Sequence, residues 1–372
     1  MITEIALKNF KCYKKLDTIQ LAQVNLLAGS NGRGKSSFIQ SLLLLAQSLD
    51  SEKRLKHLVM NGRFVELGTF ADVQNSGKEG NPTIHYKTDD KDESDILITF
   101  SSYENKAQWG EIVSFTLSGK ELIEEMGSAT GENEGQKSHG LIVTSTAVAG
   151  LSQLYNVYYI SADRRGPVDF VKKNDNRDDN QIGVHGEFLI NSLAKKGKDF
   201  TDKVAGELSK ILSGATIQVE NTDTDYLRFY LDSVNDSKGF RPTNVGFGYS
   251  YILPIVMTLM LAEKGAKIFI ENPEAHLHPG AQSRLADFLM RKSKERDLQL
   301  FIETHSDHII NGLRIAIVDG VLEKSDARIL FFSREELGDT NVYQIKIDSK
   351  GNLSDYPDGF MDEWGIQMSK LV

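Results

Sequence analysis

Cysteine is all but missing from this chain: Cys12 is the only one in 372 residues. A single thiol excludes an intramolecular disulfide and a cysteine metal cluster, and leaves Cys12 the role of a small buried hydrophobe. A reducing, cytoplasmic setting is the expectation. An excess of positive charge is missing too, since 43 Lys and Arg face 52 Asp and Glu for a formal net charge of -9. That balance excludes a chain-wide nucleic-acid-binding surface, although not a local basic groove. Long apolar runs are absent. The four leucines Leu42–Leu45 are far too few to span a bilayer. The opening MITEIALKNFKCY alternates like a strand and lacks the basic start and apolar stretch of a signal peptide, so no membrane association is expected. No internal repeat of fixed period is visible.

What the chain does have is LLAGSNGRGKSSFIQSLLLL at residues 26–45. An ordinary turn between a core strand and a core helix needs one glycine at most. Here Gly29, Gly32 and Gly34 precede Lys35 and Ser36 and match G-x-x-x-x-G-K-[ST] position for position, between the strand-like VNLLA and the helical SSFIQSLLLLAQSL. This is the phosphate-binding P-loop. Its backbone N–H groups, from Gly29 through Asn31, Gly32, Arg33, Gly34, Lys35, Ser36 and Ser37, turn inward around phosphate oxygens. Lys35 adds a point charge and Ser36 a hydroxyl for Mg²⁺, so ATP and Mg²⁺ are the expected cofactors.

A nucleotide site of this kind needs a carboxylate at the end of a nearby strand. IFIENPEAHLHP supplies an apolar strand closing on Glu271, with Ser36 the expected metal pair. A further apolar strand ends in FIETHSD, which brings Thr304, His305 and Ser306 to the edge where ligands bind in open α/β folds. Gly246 and Gly248, ahead of the apolar helix YILPIVMTLMLAEKG, have the right chemistry for an anion contact. His276, His278, His305, His308 and Asp307 invite a transition-metal reading. Their spacing is loose and H-E-x-x-H is absent, which favours hydrogen-bonded histidines. Elsewhere TIHYKT, DILITF, EIVSFTL and NVYYISA alternate as an antiparallel β-lobe should, while residues 186–213 show helical spacing. The polar stretches MGSATGENEGQKSHG and VKKNDNRDDNQIG read as loops.

NFKCYKKL before GSNGRGKSS, then NVGFGYSYILPIV, IENPEAHLHPGAQSRLADFL and ETHSDHIINGLR together resemble the ABC-type ATPase heads of the RecF, SMC and OLD group. In particular the chain resembles stand-alone AAA-family ATPases with a short C-terminal domain of unknown function, matched by the tail YPDGFMDEWG. The resemblance implies an α/β P-loop NTPase head with an antiparallel β-lobe and a helical subdomain. Its implied divisions are a P-loop half at 1–63, a β-rich lobe at 64–185 and a helical subdomain with return strands at 186–240. The signature, Walker B and switch-histidine half follows at 241–320, and a C-terminal β extension at 321–372.

By the same resemblance VGFGYS replaces the ABC signature, with Gly246, Gly248 and Ser250 meeting the γ-phosphate held by the opposite subunit. A homodimer through composite ATP sites follows, with room for a higher oligomer. YISADRRGP resembles the Q-loop segment without its glutamine, leaving Arg164 and Arg165 to sense phosphate or a neighbouring subunit. Walker B reads Glu271-Asn272 where such heads usually have Asp-Glu, and Asn272 cannot act as a base. Either Glu274 orients the water, or Asn272 positions it while His305 senses the γ-phosphate. The implied function is a nucleotide-dependent dimerisation switch beside a separate effector, such as a nuclease or toxin, in anti-phage defence. A RecF-like DNA-repair ATPase that binds DNA and a non-hydrolysing scaffold are the alternatives. Only about sixty residues follow ETHSDHIINGLR, too few for an appended nuclease domain.

Overall fold

The computed structural model describes residues 1–51, 53–77, 80–90, 94–102, 106–121, 149–174, 180–232, 239–334 and 340–371. Its centre is a six-stranded sheet in the order Thr340–Ile345, Ala327–Arg334, Val24–Gly29, Gln299–Glu303, Lys267–Glu271, Val157–Ile160. Every pairing is parallel except that of Thr340–Ile345, which runs antiparallel at one edge. Strands covered on both faces read as continuous apolar runs, as in QLFIE, where all five residues are buried.

Alternate residues of these strands feed two separate cores, because successive side chains of a strand point to opposite faces. Leu26, Ile268, Ile270, Leu300 and Ile302 pack with the helices Phe247–Leu261, Pro279–Glu295 and Asp307–Val318. Leu27, Phe269 and Phe301 pack with the P-loop helix Lys35–Ser48 and with an antiparallel sheet. That second sheet runs Tyr13–Gln20, Ile2–Phe10, Thr83–Thr88, Asp95–Ser101, Trp109–Leu117, His57–Val59, with Lys120–Glu121 attached to Trp109–Leu117. A third sheet of Phe170–Lys172, Tyr226–Asp232 and Thr216–Asn221 accompanies the helices Leu189–Lys196 and Lys198–Leu212. The fold is thus the α/β P-loop head that the sequence implies.

Sheet membership cuts across the divisions read from sequence. NVYYISA, read as part of the antiparallel lobe, supplies Val157–Ile160, which pairs in parallel with Lys267–Glu271. All four of its residues are buried, the mark of a core strand rather than of alternation. The first two strands, assigned to the P-loop half, belong to the lobe sheet through the pairing of Ile2–Phe10 with Thr83–Thr88. Phe170–Lys172, placed in the lobe, joins the helical region's sheet instead. Ala327–Arg334, read as part of an extension, pairs directly with the P-loop strand. MGSATGENEGQKSHG and part of VKKNDNRDDNQIG lie outside the described residues. Among the described residues no helix is long and apolar enough to cross a membrane.

Candidate functional site: a P-loop facing paired carboxylates

The P-loop strand ends at Gly29, where φ is +131° and an added Cβ would lie 2.2 Å from the Phe332 carbonyl oxygen. Gly34 closes the loop at φ +102°, and a Cβ there would lie 2.6 Å from the Tyr13 hydroxyl. Only glycine satisfies both constraints at each position. Tyr13 in turn donates to the Gly34 carbonyl at 2.8 Å and pins the loop to the N-terminal hairpin. The helix starts at Lys35 with Gly34 as its N-cap and no side-chain cap, so its first N–H groups are offered to an anion rather than to a protein side chain.

Lys35 is 3% exposed. Its Nζ donates to the carbonyls of Gly29 at 2.8 Å and Ser30 at 3.0 Å, and lies 3.7 Å from Glu303 Oε1. Burial lowers its pKa, with the Glu303 carboxylate opposing. Ser36 Oγ donates to Glu303 Oε2 at 3.1 Å. Asn31, Gly32 and Ser36 are exposed around the loop, and Arg33, Gly34 and Ser37 are half-buried.

Glu271 and Glu303 end neighbouring parallel strands in register. Glu271 Oε2 accepts from the Ala162 N–H at 3.1 Å. Burial first, and then the Glu271 charge, push the Glu303 carboxyl above its ordinary range, while Lys35 and Ser36 pull it back. The turn after Glu271 is strained. Asn272 has φ +44° and His276 φ +62°, values that non-glycine residues adopt mainly where the surroundings impose them. Arg164 is part of what imposes them: 2% exposed, it donates to the carbonyls of Ser161, Glu271 and Asn272 at 3.1, 2.7 and 2.6 Å. The expectation that Arg164 senses phosphate is therefore corrected in part, because both terminal nitrogens of its guanidinium are engaged in bracing this turn. Burial brings its pKa down to about 10. Arg165 is exposed.

Glu274 Oε1 accepts from the His305 backbone N–H at 2.7 Å, which ties the turn to the end of the next strand. Its Oε2 is buried without a hydrogen-bond partner among the described residues, as is Asn272 Oδ1. Burial and the Lys35 charge lower the His305 pKa, with Glu274 opposing, so the ring is neutral at physiological pH. Gly246 caps the helix Phe247–Leu261 without a side-chain bond and is exposed. Gly248 packs close, with 3.2 Å between a hypothetical Cβ and the His276 carbonyl oxygen, and Ser250 is half-buried one position before Tyr251. His276 contacts Tyr251 and Phe247 at ring separations of 4.4 and 5.8 Å. Of the signature residues, Gly248 therefore stands against the turn after Glu271. The other histidines are dispersed: His278 Nδ1 accepts from Gly280 N–H as a helix cap, and the His308 N–H donates to Ser306 Oγ.

Sequence reasoning thus brought Lys35, Ser36 and Glu271 to one edge of the sheet, together with Asn272, Glu274 and His305. It missed Glu303 and Tyr13. The signal for Glu303 was present, since LFIE ends as IFIE does. The residues suit a polyanion with a divalent cation: a buried ammonium with carbonyls as its nearest partners, two carboxylates in register, and two buried oxygens lacking a donor.

Comparison with known proteins agrees with this geometry. Residues 1–106 and 78–310 match the AAA ATPase domain family AAA_15, and residues 322–371 match a family described as a protein of unknown function, DUF3696. No curated protein matches the chain. Among solved structures, an Smc head bound to the C-winged helix domain of ScpA covers 93% of this chain and 98% of its own at 15% identity, with a TM-score of 0.57. A Pyrococcus furiosus Smc head domain with an extended coiled coil, bound to the C-terminal domain of ScpA, covers 100% and 99% at 14% identity, with a TM-score of 0.53. At those identities the likeness is one of fold, that of the SMC head. The chain belongs to the AAA ATPase domain family AAA_15, and its C-terminal segment matches DUF3696.

Proposed function

We propose that the chain binds MgATP between the P-loop and the turn after Glu271, hydrolyses it, and works as a nucleotide-dependent dimerisation switch that regulates a separate effector. One observation carries the reading. The buried Lys35 and the P-loop Ser36 face in-register carboxylates at the C-terminal edge of the sheet, beside two buried oxygens, Asn272 Oδ1 and Glu274 Oε2, that have no protein donor.

In this reading Lys35 leaves the Gly29 and Ser30 carbonyls and places its charge on the β- and γ-phosphates. Ser36 and Glu271 would hold the water shell of a magnesium ion, which when bound would supply positive charge to the phosphoryl oxygens. Glu274, fixed through one oxygen by the His305 N–H, directs the other at the attacking water and takes its proton. Asn272 supplies a polar contact but no base. The exposed helix start at Gly246, Gly248 and Ser250 offers N–H groups to the γ-phosphate of a second copy. Opening and closing of that dimer is what a partner would sense. The Smc heads compared above are bound to ScpA, and a protein effector of this chain, a nuclease or toxin in cytoplasmic anti-phage defence, is the corresponding expectation.

A second reading, nucleotide kept as a structural ligand, is favoured by Asn272 at the usual position of the base. Phosphate release by the purified chain, with mass measured by light scattering in ATP and ADP, tests the proposal. Turnover with an ATP-dependent dimer supports it. Binding without turnover supports the scaffold, and hydrolysis that needs duplex DNA and falls steeply with salt supports a DNA-repair ATPase instead. The protein that co-purifies identifies the effector.

A further inference from the structure

Ser36 touches a carboxylate other than the one its motif pairs it with. Glu303 Oε2 accepts its hydroxyl at 3.1 Å, and the same carboxylate's Oε1 is 3.7 Å from Lys35 Nζ. Glu271 lies one strand further away, because Gln299–Glu303 separates its strand from the P-loop strand, a step of about 4.8 Å. One oxygen of Glu271 is also committed to the Ala162 N–H. We infer that Glu303 is the positioning residue of the magnesium site, holding the Ser36 hydroxyl and receiving the metal's water shell, with Glu271 as the outer member of a two-carboxylate pair. This rests on the reading of the cleft as a MgATP site.

The chemistry follows from the direction of the hydrogen bond. A hydroxyl that binds a cation must turn its hydrogen away from the metal, and a carboxylate accepting that hydrogen leaves the oxygen lone pairs for the cation. Glu303 accepts in this way. The pair also lacks charge compensation. Two carboxylates end adjacent strands in register, with Glu303 8% exposed, and Lys35 is the cation beside them. Once Lys35 serves the phosphates, both carboxylates require another positive charge, and a divalent cation supplies it. Hard oxygen donors, two carboxylates and a hydroxyl, suit Mg²⁺ with most of its waters retained.

The test is binding of a fluorescent ATP analogue to the full chain, first in EDTA and then along a Mg²⁺ titration, for wild type, Glu303→Gln, Glu303→Asp and Glu271→Gln. Glu303→Gln is expected to keep or tighten binding in EDTA, since a negative charge near the phosphates is gone. Its Mg²⁺ requirement for half-saturation should rise about tenfold or more, a loss of roughly 1.4 kcal/mol. Glu303→Asp should fall between it and wild type, and Glu271→Gln should shift less than Glu303→Gln. A Glu303→Gln titration that overlays the wild type overturns the inference, as does a larger shift for Glu271→Gln. Should Glu303→Gln fail to fold, Glu303→Asp decides alone, a wild-type Mg²⁺ midpoint overturning the role. A wild type that binds no nucleotide under either condition removes the MgATP reading itself and this inference with it.

Discussion

The two ends of the central strands are built on opposite rules. At the N-terminal edge the buried side-chain amides are satisfied within the fold. Gln299, fully buried, accepts from the Ile2 N–H at 2.9 Å and donates to the carbonyls of Ile2 and Ala22 at 2.6 and 3.0 Å. Asn25, also fully buried, accepts from the Ala22 N–H and donates to the Ala22 and Leu300 carbonyls. Gln23 donates to Ser293 O. At the C-terminal edge Asn272 Oδ1 and Glu274 Oε2 have no partner, Asn272 and His276 hold positive φ, and two carboxylates sit side by side. Buried polar groups in folded proteins are paired as a rule. Among the described residues the exceptions at the N-terminal edge, Ser293 Oγ and Arg296 Nε, belong to the end of one helix, whereas an edge that gathers two orphaned oxygens, two strained residues and paired carboxylates beside one turn is an edge whose partner is not protein.

That contrast is broken first by Gln299→Leu. The variant removes the side-chain partner of the Ile2 N–H and carbonyl and one of the two donors to the Ala22 carbonyl, at a cost on the order of 3 kcal/mol. Urea denaturation is expected to show that loss, with nucleotide affinity of the folded fraction unchanged. Equal damage to affinity would mean that the two edges are one unit. Lys35→Ala reverses the pattern. It removes the charge partner of the phosphates and should weaken ATP binding by on the order of a hundredfold, about 3 kcal/mol. The change in stability should be small beside it, because the cost of burying the ammonium is lost together with its attraction for Glu303. Isothermal titration beside a thermal melt measures both, and unchanged affinity would count against the site.

The carboxylate question sharpens the comparison within the C-terminal edge. Glu274→Gln keeps the shape and the His305 N–H bond and should leave MgATP binding intact. Its turnover should fall by roughly a hundredfold, the scale of a lost general base, and the ATP-bound dimer should accumulate. If instead Asn272 positions water while His305 reads the γ-phosphate, Glu274→Gln is nearly silent and His305→Ala is the damaging change. Single-turnover hydrolysis of both, with binding measured separately, tells the two apart.

The sequence was legible where a local rule acts. The P-loop glycines, the strand closing on Glu271 and the helix starting at Lys35 follow from spacing alone. Tertiary partnership was not legible. NVYYISA has a strand's composition, but which sheet it enters depends on both of its faces being covered, which no window of sequence states. Arg164 read as a phosphate sensor because it is an arginine in a loop. Two of its three carbonyl partners come from a turn more than a hundred residues away. Glu303 closes its strand as Glu271 does, so its candidacy was legible, but its place beside Ser36 depends on the adjacency of its strand to the P-loop strand, a fact of topology.

Lys267 is a charged feature of the N-terminal edge that strains the comparison, being a lysine only 5% exposed at the start of the strand that ends in Glu271. Its Nζ donates to Gln153 Oε1 and the Gly265 carbonyl, so it is hydrogen-bonded. Burial nonetheless lowers its pKa from 10.5 to about 8, with Asp89 and Asp297 opposing. The sign follows from proton counting. The unfolded chain binds this proton up to pH 10.5 and the folded chain only up to about 8, so stability rises with pH across that window and the penalty is complete below it. Lys267→Met removes the titration and keeps the length of the side chain. It should be more stable than wild type at pH 7 by about 1–2 kcal/mol, after loss of the two hydrogen bonds. The gap should close as the pH rises through the window, where the wild type recovers. Chemical denaturation at pH 7, 9 and 10.5 measures it. A gap that stays constant across those pH values would mean that Lys267 keeps its proton at no cost, in which case the contrast between the two ends becomes sharper.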